Sequence, residues 1–244
     1  MKYKLICCEV FMRIVCMEIA TTSNTIDPEF TKLGAHENPD SLRDIIQEKI
    51  DSIREEDGYD AVLLGYGLCG NAALRLKAGS VPLVIPRAHD CCTIFLGSKD
   101  RFLEHFKDRL SASWSSAGYA ERSTEYLRET DTGKFLGLDR SYQELVEQYG
   151  EDNARYIWDI LHPENYQKDD LIYIRIPEFE SLGYLEKLKE KASQEGRNVQ
   201  VLEGDTRLIK KLINGQWDEE EFLLVPPGRS IAAVYDHKEI ICVE

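Results

Sequence analysis

Positive charge is scarce in this sequence. Its 244 residues include 30 Lys and Arg against 44 Asp and Glu, which gives a formal net charge of −14. A protein that binds nucleic acid or an anionic membrane surface through electrostatics needs an excess of basic side chains. We therefore expect neither nucleic acid nor a membrane among the main partners.

Long apolar runs are also missing. The segment closest to one, KLICCEVFMRIVCMEIA, is interrupted by Glu9, Arg13 and Glu18. It is too charged for a signal peptide and too short to cross a bilayer. Seven cysteines is an odd number, and the two adjacent pairs among them do not fit a secreted disulfide framework. Together these features predict a cytoplasmic protein in a reducing environment.

The sequence also lacks the common catalytic signatures, namely a G-x-S-x-G elbow, an H-E-x-x-H zinc motif and the kinase set. The segment GYGLCGN does match G-x-G-x-x-G through Gly65, Gly67 and Gly70. However, it lacks the Lys-Ser/Thr pair of a P-loop, and the next apolar run ends in proline without a carboxylate for a ribose. We predict that these glycines let the backbone approach a bound ligand or cofactor.

What the sequence does contain is an alternation of short apolar runs with helical patterns, and 43% hydrophobic residues, enough for a sizeable core. The predicted strands are 3–8, 61–64, 81–85, 171–176, 199–202 and 222–225, and helices are predicted between them at 71–77 and 89–106, among others. This order predicts an α/β protein with a mostly parallel sheet flanked by helices, built as one sheet or as two βαβ lobes with a cleft. The last residues predict an antiparallel hairpin.

Residues 111–138 break this alternation with small and polar residues. We therefore expect either a single domain, 1–244, or a metal-site lobe at 1–110 and a second lobe at 139–244, joined by this excursion. A long irregular segment in a compact domain is often functional. We predict a lid in which Trp114 and Tyr119 close over a substrate or cofactor.

Soft metal ligands follow two neighbouring predicted strands. Cys69 comes after the run 61–64, and His89 and Cys91 come after the run 81–85. Because the carboxyl ends of parallel strands meet at one edge of a sheet, these side chains are expected to lie close together. Three protein ligands leave the fourth position of a zinc ion open, as a catalytic site requires. The pattern predicts a metal site at Cys69, His89 and Cys91.

Two further cysteines lie near this predicted edge. Cys8 follows the first strand and is a reserve ligand, whereas Cys92 is predicted to point into the core. Cys8, Cys69 and Cys91 together would suit an iron–sulfur cluster as well as a zinc ion. Of the two, we prefer zinc. If the cysteines are instead ordinary packing residues, the chain is a scaffold without a metal.

Polar residues are expected at the same edge. We predict that Asp90 and Glu9 act as proton carriers or orient a ligating histidine, although each can equally be a carboxylate at a helix N-terminus. Tyr66 and Arg87 are expected nearby. His36, in the segment AHENP, is a further candidate whose role stays open.

Five segments carry a family resemblance: CEV, FTKLGAHENPDSLRDIIQEKID, LLGYGLCGN, VPLVIPRAHDCCTIFLGSK and VPPG. They span most of the chain and resemble the family catalogued as domain of unknown function 1638. That resemblance implies that the protein functions alongside the corrinoid-dependent methyl-transfer systems of anaerobic bacteria and methanogenic archaea. Methyltransferases of such systems often hold zinc on a His-x-Cys pair and a later cysteine. His89-Asp90-Cys91 is similar to that pattern, whereas Cys69 lies upstream of it.

From the ligand pattern and this context, we predict a metal-dependent enzyme or accessory protein of one-carbon metabolism. A metal-bound substrate thiol would be activated for methyl transfer, with a small-molecule thiol or methyl donor, or a corrinoid protein, as partner. The alternative is a protein without turnover that binds and delivers a metal, an iron–sulfur cluster or a corrinoid.

Overall fold

The computed structural model describes residues 1–33, 38–107, 112–122, 142–151, 153–155, 170–194, 196–234 and 239–244. The strands within these ranges are β1 (Lys2–Cys8), β2 (Thr25–Thr31), β3 (Ala61–Gly65), β4 (Leu83–Pro86), β5 (Trp114–Ser116), β6 (Leu171–Arg175), β7 (Val199–Glu203), β8 (Phe222–Val225), β9 (Ile231–Ala233) and β10 (Ile241–Val243). The α-helices are α1 (Met12–Ile19), α2 (Pro39–Asp51), α3 (Cys91–Leu96), α4 (Lys99–Phe106), α5 (Ala117–Arg122), α6 (Tyr142–Tyr149), α7 (Tyr184–Gln194) and α8 (Arg207–Asn214).

The larger sheet has five strands in the order β2-β1-β3-β4-β8. The first four are parallel, and β8 pairs antiparallel with β4. Every residue of β3 and β4 is buried, as expected for central strands covered on both faces, which read as continuous apolar runs. The predicted α/β class with a mostly parallel sheet is confirmed.

A second sheet contains β5, β6 and β7, all parallel. The predicted C-terminal hairpin is confirmed as the antiparallel pair β9 and β10. Residues of β6 alternate between two clusters, as a period of two requires. Ile172 and Ile174 join the main core with β1, β3 and β4, whereas Leu171 and Tyr173 pack with α7 on the other face. One hydrophobic core therefore includes residues of both sheets. The predicted division into lobes stays a prediction.

Strand β2 was not expected, since the segment TTSNTIDPEF predicts a connection. It runs parallel to β1 in a register from Lys2 opposite Thr25 to Cys8 opposite Thr31. Pro28 is tolerated because β2 is an edge strand, where one side of the backbone forms no ladder. Glu29 holds this edge to β1 through an ion pair with Lys4 at 2.8 Å.

Two helix predictions are wrong in detail. A helix at 71–77 does not form, because Asn71 and Arg75 have left-handed φ angles of 74° and 67°, and the segment is a series of turns. The helix expected at 89–106 is two helices, α3 and α4. Gly97, with φ of 81°, ends α3, and the Ser98 side chain caps α4 by accepting a hydrogen bond from the backbone N–H of Arg101.

The excursion at 111–138 is more regular than predicted where the structure describes it. Residues 114–122 form β5 and α5, and Trp114 lies opposite Ile172 in the second sheet. The short strand was missed because three residues are too few for a visible alternation. Residues 123–138 lie outside the described residues, so the predicted lid stays a prediction. Within the described part of the chain, no helix is long and apolar enough to cross a membrane.

Candidate functional site

The carboxyl ends of β1, β3 and β4 meet at one edge of the larger sheet, and a cysteine follows or ends each strand. The loops after β3 and β4 are joined by backbone hydrogen bonds. The N–H of Leu68 donates to the carbonyl of Ala88 at 2.8 Å, and the N–H of Cys69 donates to that of His89 at 3.0 Å. These two bonds hold the loop after β3 against the loop after β4 and place Cys69 beside the residues that precede α3.

The glycines in this region are required by close backbone packing. A Cβ on Gly67 would lie 2.8 Å from both the Ala88 carbonyl oxygen and the Asp90 nitrogen. A Cβ on Gly65 would overlap the thiol of Cys7, and Gly70 has a left-handed φ of 64°. The glycines therefore allow the two loops to touch. Their predicted contact with a cofactor stays a prediction.

The thiols of Cys69 and Cys91 contact each other. The hydrogen bond with Cys91 raises the pKa of Cys69 well above its ordinary value, and burial and the charges of Cys91, Asp90 and Cys8 act in the same direction. Cys8, at the end of β1, is therefore near enough to influence the Cys69 thiol. Of the predicted metal ligands, Cys69 and Cys91 are thus direct neighbours, and Cys8 acts on Cys69 through its charge.

Tyr119 of α5, the helix that directly follows β5 of the second sheet, completes this cluster. Its hydroxyl lies 2.6 Å from the sulfur of Cys91, and its buried ring packs edge-to-face against Trp114 at a centroid distance of 4.8 Å. A Cβ on Gly118 would overlap the carbonyl oxygen of Val10, so α5 lies directly on the backbone that follows β1. Tyr119 and Trp114 thus lie at the predicted site. Their role in covering a ligand stays a prediction.

Asp90 is the N-cap of α3. Its carboxylate accepts hydrogen bonds from the backbone N–H of Thr93 at 3.0 Å and from the Thr93 hydroxyl at 3.1 Å. Burial raises the pKa of Asp90, while the Thr93 hydrogen bonds and the charge of His89 oppose that shift. This placement is the capping role that the sequence left open, and proton transfer by Asp90 stays a prediction.

His89 and Glu9 have clear neighbours. The His89 ring packs against Phe102 of α4 at a centroid distance of 5.8 Å. Glu9 accepts a hydrogen bond from the N–H of Leu33 at 2.7 Å and lies 3.6 Å from a guanidinium nitrogen of Arg122. Glu9 therefore ties the end of β1 to α5. A catalytic role for it stays a prediction.

Tyr66 lies at the predicted edge, and it has a partner that the sequence did not indicate. Its hydroxyl is 2.6 Å from that of Thr31 at the end of β2. Burial raises the pKa of Tyr66 well above its ordinary value, and the charges of Cys7, Cys8 and Cys69 add to the shift. Thr31 was missed because β2 was missed.

Other residues near this edge have structural roles. Cys92 is fully buried, which confirms its predicted place in the core. The guanidinium of Arg87 donates to the carbonyls of Glu219 at 2.9 Å and Glu239 at 2.8 Å. Arg87 therefore stabilises the C-terminal part of the fold. His36 lies outside the described residues.

A family model with the description "Protein of unknown function (DUF1638)" matches residues 30–213. The chain belongs to this family. The DUF1638 match includes Cys69, His89 and Cys91 and leaves Cys8 outside. No curated protein and no solved structure matches the chain. The family resemblance expected from the sequence is confirmed, and it brings no activity with it.

The donor atoms at this DUF1638 site are of a kind that binds metals, but they are not arranged around a common metal position. Three thiols are soft ligands that suit zinc or iron–sulfur clusters. Among the side chains that the structure describes, no group of three or more His, Cys, Asp or Glu is arranged to hold a metal ion. Metal binding would therefore require rotation of these side chains and loss of the thiol protons. The ligand set Cys8, Cys69, His89 and Cys91 stays a prediction.

Proposed function

We propose that this DUF1638 protein binds zinc through Cys69, His89 and Cys91, with Cys8 as a reserve ligand, and that the open fourth position of the zinc activates a substrate thiol for methyl transfer. The observation that supports this proposal is that a cysteine ends or follows each of three neighbouring strands, β1, β3 and β4, at one edge of the sheet. The thiol of Cys69 contacts that of Cys91, and the charge of Cys8 acts on it. Thiols from three separate strand ends are a typical source of ligands for a soft cation.

The protonation of these thiols gives metal binding a pH dependence. The raised pKa of Cys69 keeps its thiol neutral at pH 7 when no metal is bound. A metal ion binds the thiolate, so binding releases protons and becomes stronger as pH rises toward the thiol pKa. We therefore expect metal affinity to fall on acidification.

The neighbouring residues suit chemistry at a thiol. When bound, zinc would lower the pKa of a coordinated substrate thiol. The Tyr119 hydroxyl, 2.6 Å from the Cys91 sulfur, can donate a hydrogen bond to its thiolate. Trp114 packs on Tyr119 and Phe95, which places apolar surface beside the site. The setting in anaerobic one-carbon metabolism, with a methyl donor or corrinoid protein as partner, rests on the family resemblance.

The second candidate is a protein that holds and delivers an iron–sulfur cluster or a corrinoid without turnover. The cysteines at three neighbouring strand ends favour it, because iron–sulfur clusters are held by cysteine thiolates. The packing of His89 against Phe102 points the same way. Iron and inorganic sulfide in place of zinc would support this candidate.

The test is metal analysis of the full chain purified without oxygen. We expect stoichiometric zinc in the wild type and its loss in Cys69→Ser and His89→Ala, with unchanged circular dichroism because both residues lie in loops beyond the strands. Cys16→Ser is the matched control, since Cys16 is exposed on α1. A wild-type protein without zinc, iron or nickel would end the proposal.

A further inference from the structure

Cys69 and Cys91 form a pair of half-buried thiols in direct contact. The fold holds this pair from both sides. The N–H of Cys69 donates to the carbonyl of His89, two residues before Cys91, and the Asp90 side chain fixes the start of α3 through Thr93. The two sulfur atoms are therefore neighbours because two loops are bonded together.

We propose that Cys69 and Cys91 are a redox-active dithiol that a low-molecular-weight disulfide oxidises to an intramolecular disulfide. The loops that carry the two cysteines are bonded together through the N–H of Cys69 and the carbonyl of His89, and the two thiols share a hydrogen bond. Closure therefore requires the two sulfur atoms to approach from hydrogen-bond distance to the S–S bond length of about 2.05 Å. This activity goes beyond metal binding and does not depend on it.

The reaction balances with the small disulfide RS–SR as oxidant. The Cys91 thiolate attacks one sulfur of RS–SR, which forms a mixed disulfide and releases the first thiolate RS⁻. The sulfur of Cys69 then attacks the Cys91 sulfur and releases the second RS⁻. The two protons from the cysteines end on two RSH molecules, and the protein loses two electrons to RS–SR. We assign the first attack to Cys91 because the Tyr119 hydroxyl contacts its sulfur.

The other cysteines lack this arrangement or differ in access. Cys7 and Cys92 are fully buried, and the sulfur of Cys7 lies against the carbonyl of Gly65 at 3.5 Å. Cys16 is exposed on α1. Cys8 acts on the Cys69 thiol through its charge, whereas Cys91 shares a hydrogen bond with it. The structure therefore predicts one specific linkage, between Cys69 and Cys91. Because that linkage uses two of the proposed metal ligands, the oxidised protein would not bind zinc.

The experiment uses the full chain in a Cys16→Ser background, reduced, freed of metal by a chelator and equilibrated with glutathione disulfide. Peptide mapping by mass spectrometry should identify a linked pair that contains Cys69 and Cys91, with the loss of two free thiols per chain. Reduction with dithiothreitol should restore both thiols. In Cys69→Ser, the chain should instead retain one glutathione on Cys91. Cys242→Ser is the matched control and should form the linkage as the background does.

Absence of the Cys69–Cys91 peptide, or a linkage that joins Cys91 to another cysteine, would overturn the inference. The mapping decides the matter even if Cys69→Ser does not fold. The outcome is also separate from metal binding, which is measured on reduced protein. A metal-free protein that forms the disulfide would refute the proposed function alone, and a zinc protein without the linkage would refute this inference alone.

Discussion

Cys69 has a backbone conformation that is unusual for a residue with a side chain. Its φ angle of 47° lies in the left-handed region, which costs a residue with a side chain roughly 1–2 kcal/mol. Gly70, the next residue, is also left-handed, so the turn itself demands this conformation. The proposed function of the thiol would account for a cysteine at a position where glycine would be less strained.

Comparison of Cys69→Gly with Cys69→Ala tests this strain directly. Both variants remove the thiol, but only glycine relieves the left-handed backbone. We therefore expect the free energy of unfolding, measured in urea, to be about 1 kcal/mol higher for Cys69→Gly than for Cys69→Ala. At an ordinary position glycine is less stable than alanine by roughly 0.5–1 kcal/mol, so the opposite order would show that Cys69 is not strained in solution.

At the scale of elements, the sequence predicts the strands at the site better than the contacts between loops. The buried strands β3 and β4 were predicted because they are continuous apolar runs followed by ligand-type residues. Strand β2 was not, because Pro28 reads as a break unless the strand is known to be an edge. The contact between Tyr119 and Cys91 was beyond reach, since it depends on how α5 packs on the residues after β1.

Gly67→Ala tests whether contact between the two loops holds the site together. The new Cβ would lie 2.8 Å from backbone atoms of Ala88 and Asp90, and backbone cannot move away cheaply. We expect a loss of roughly 1–3 kcal/mol in the free energy of unfolding, and weaker zinc binding because the Asp90 loop carries Cys91. In the control Gly79→Ala, the nearest atom lies at 3.8 Å. That variant should match the wild type, and equal stability of both variants would contradict the packing described for Gly67.

At the scale of the whole molecule, the two sheets share one core. Ile172, Ile174 and Leu202 of the smaller sheet belong to the same cluster as the buried residues of β1, β3 and β4. Tyr119 joins the same core and places its hydroxyl at the thiols of the larger sheet. The site thus depends on both sheets, so its geometry should be lost when either sheet unfolds.

Unfolding should therefore be a single cooperative transition. Trp114 reports on β5, and Trp217, whose ring packs against Tyr3 at 5.3 Å, reports on the larger sheet. The test uses a Trp158→Phe background and two variants, each of which keeps only one of these two tryptophans. In each variant, the midpoint and slope of urea unfolding followed by tryptophan fluorescence should equal those followed by circular dichroism.

Ile174→Ala removes a fully buried side chain. It should lower the free energy of unfolding by about 2–5 kcal/mol and shift the midpoints of both tryptophan reporters equally. Val201→Ala, at a position that is 36% exposed, should shift neither. Separate midpoints for the two tryptophans would mean that the chain folds as two lobes, and that the Tyr119 contact with Cys91 is an interface between them.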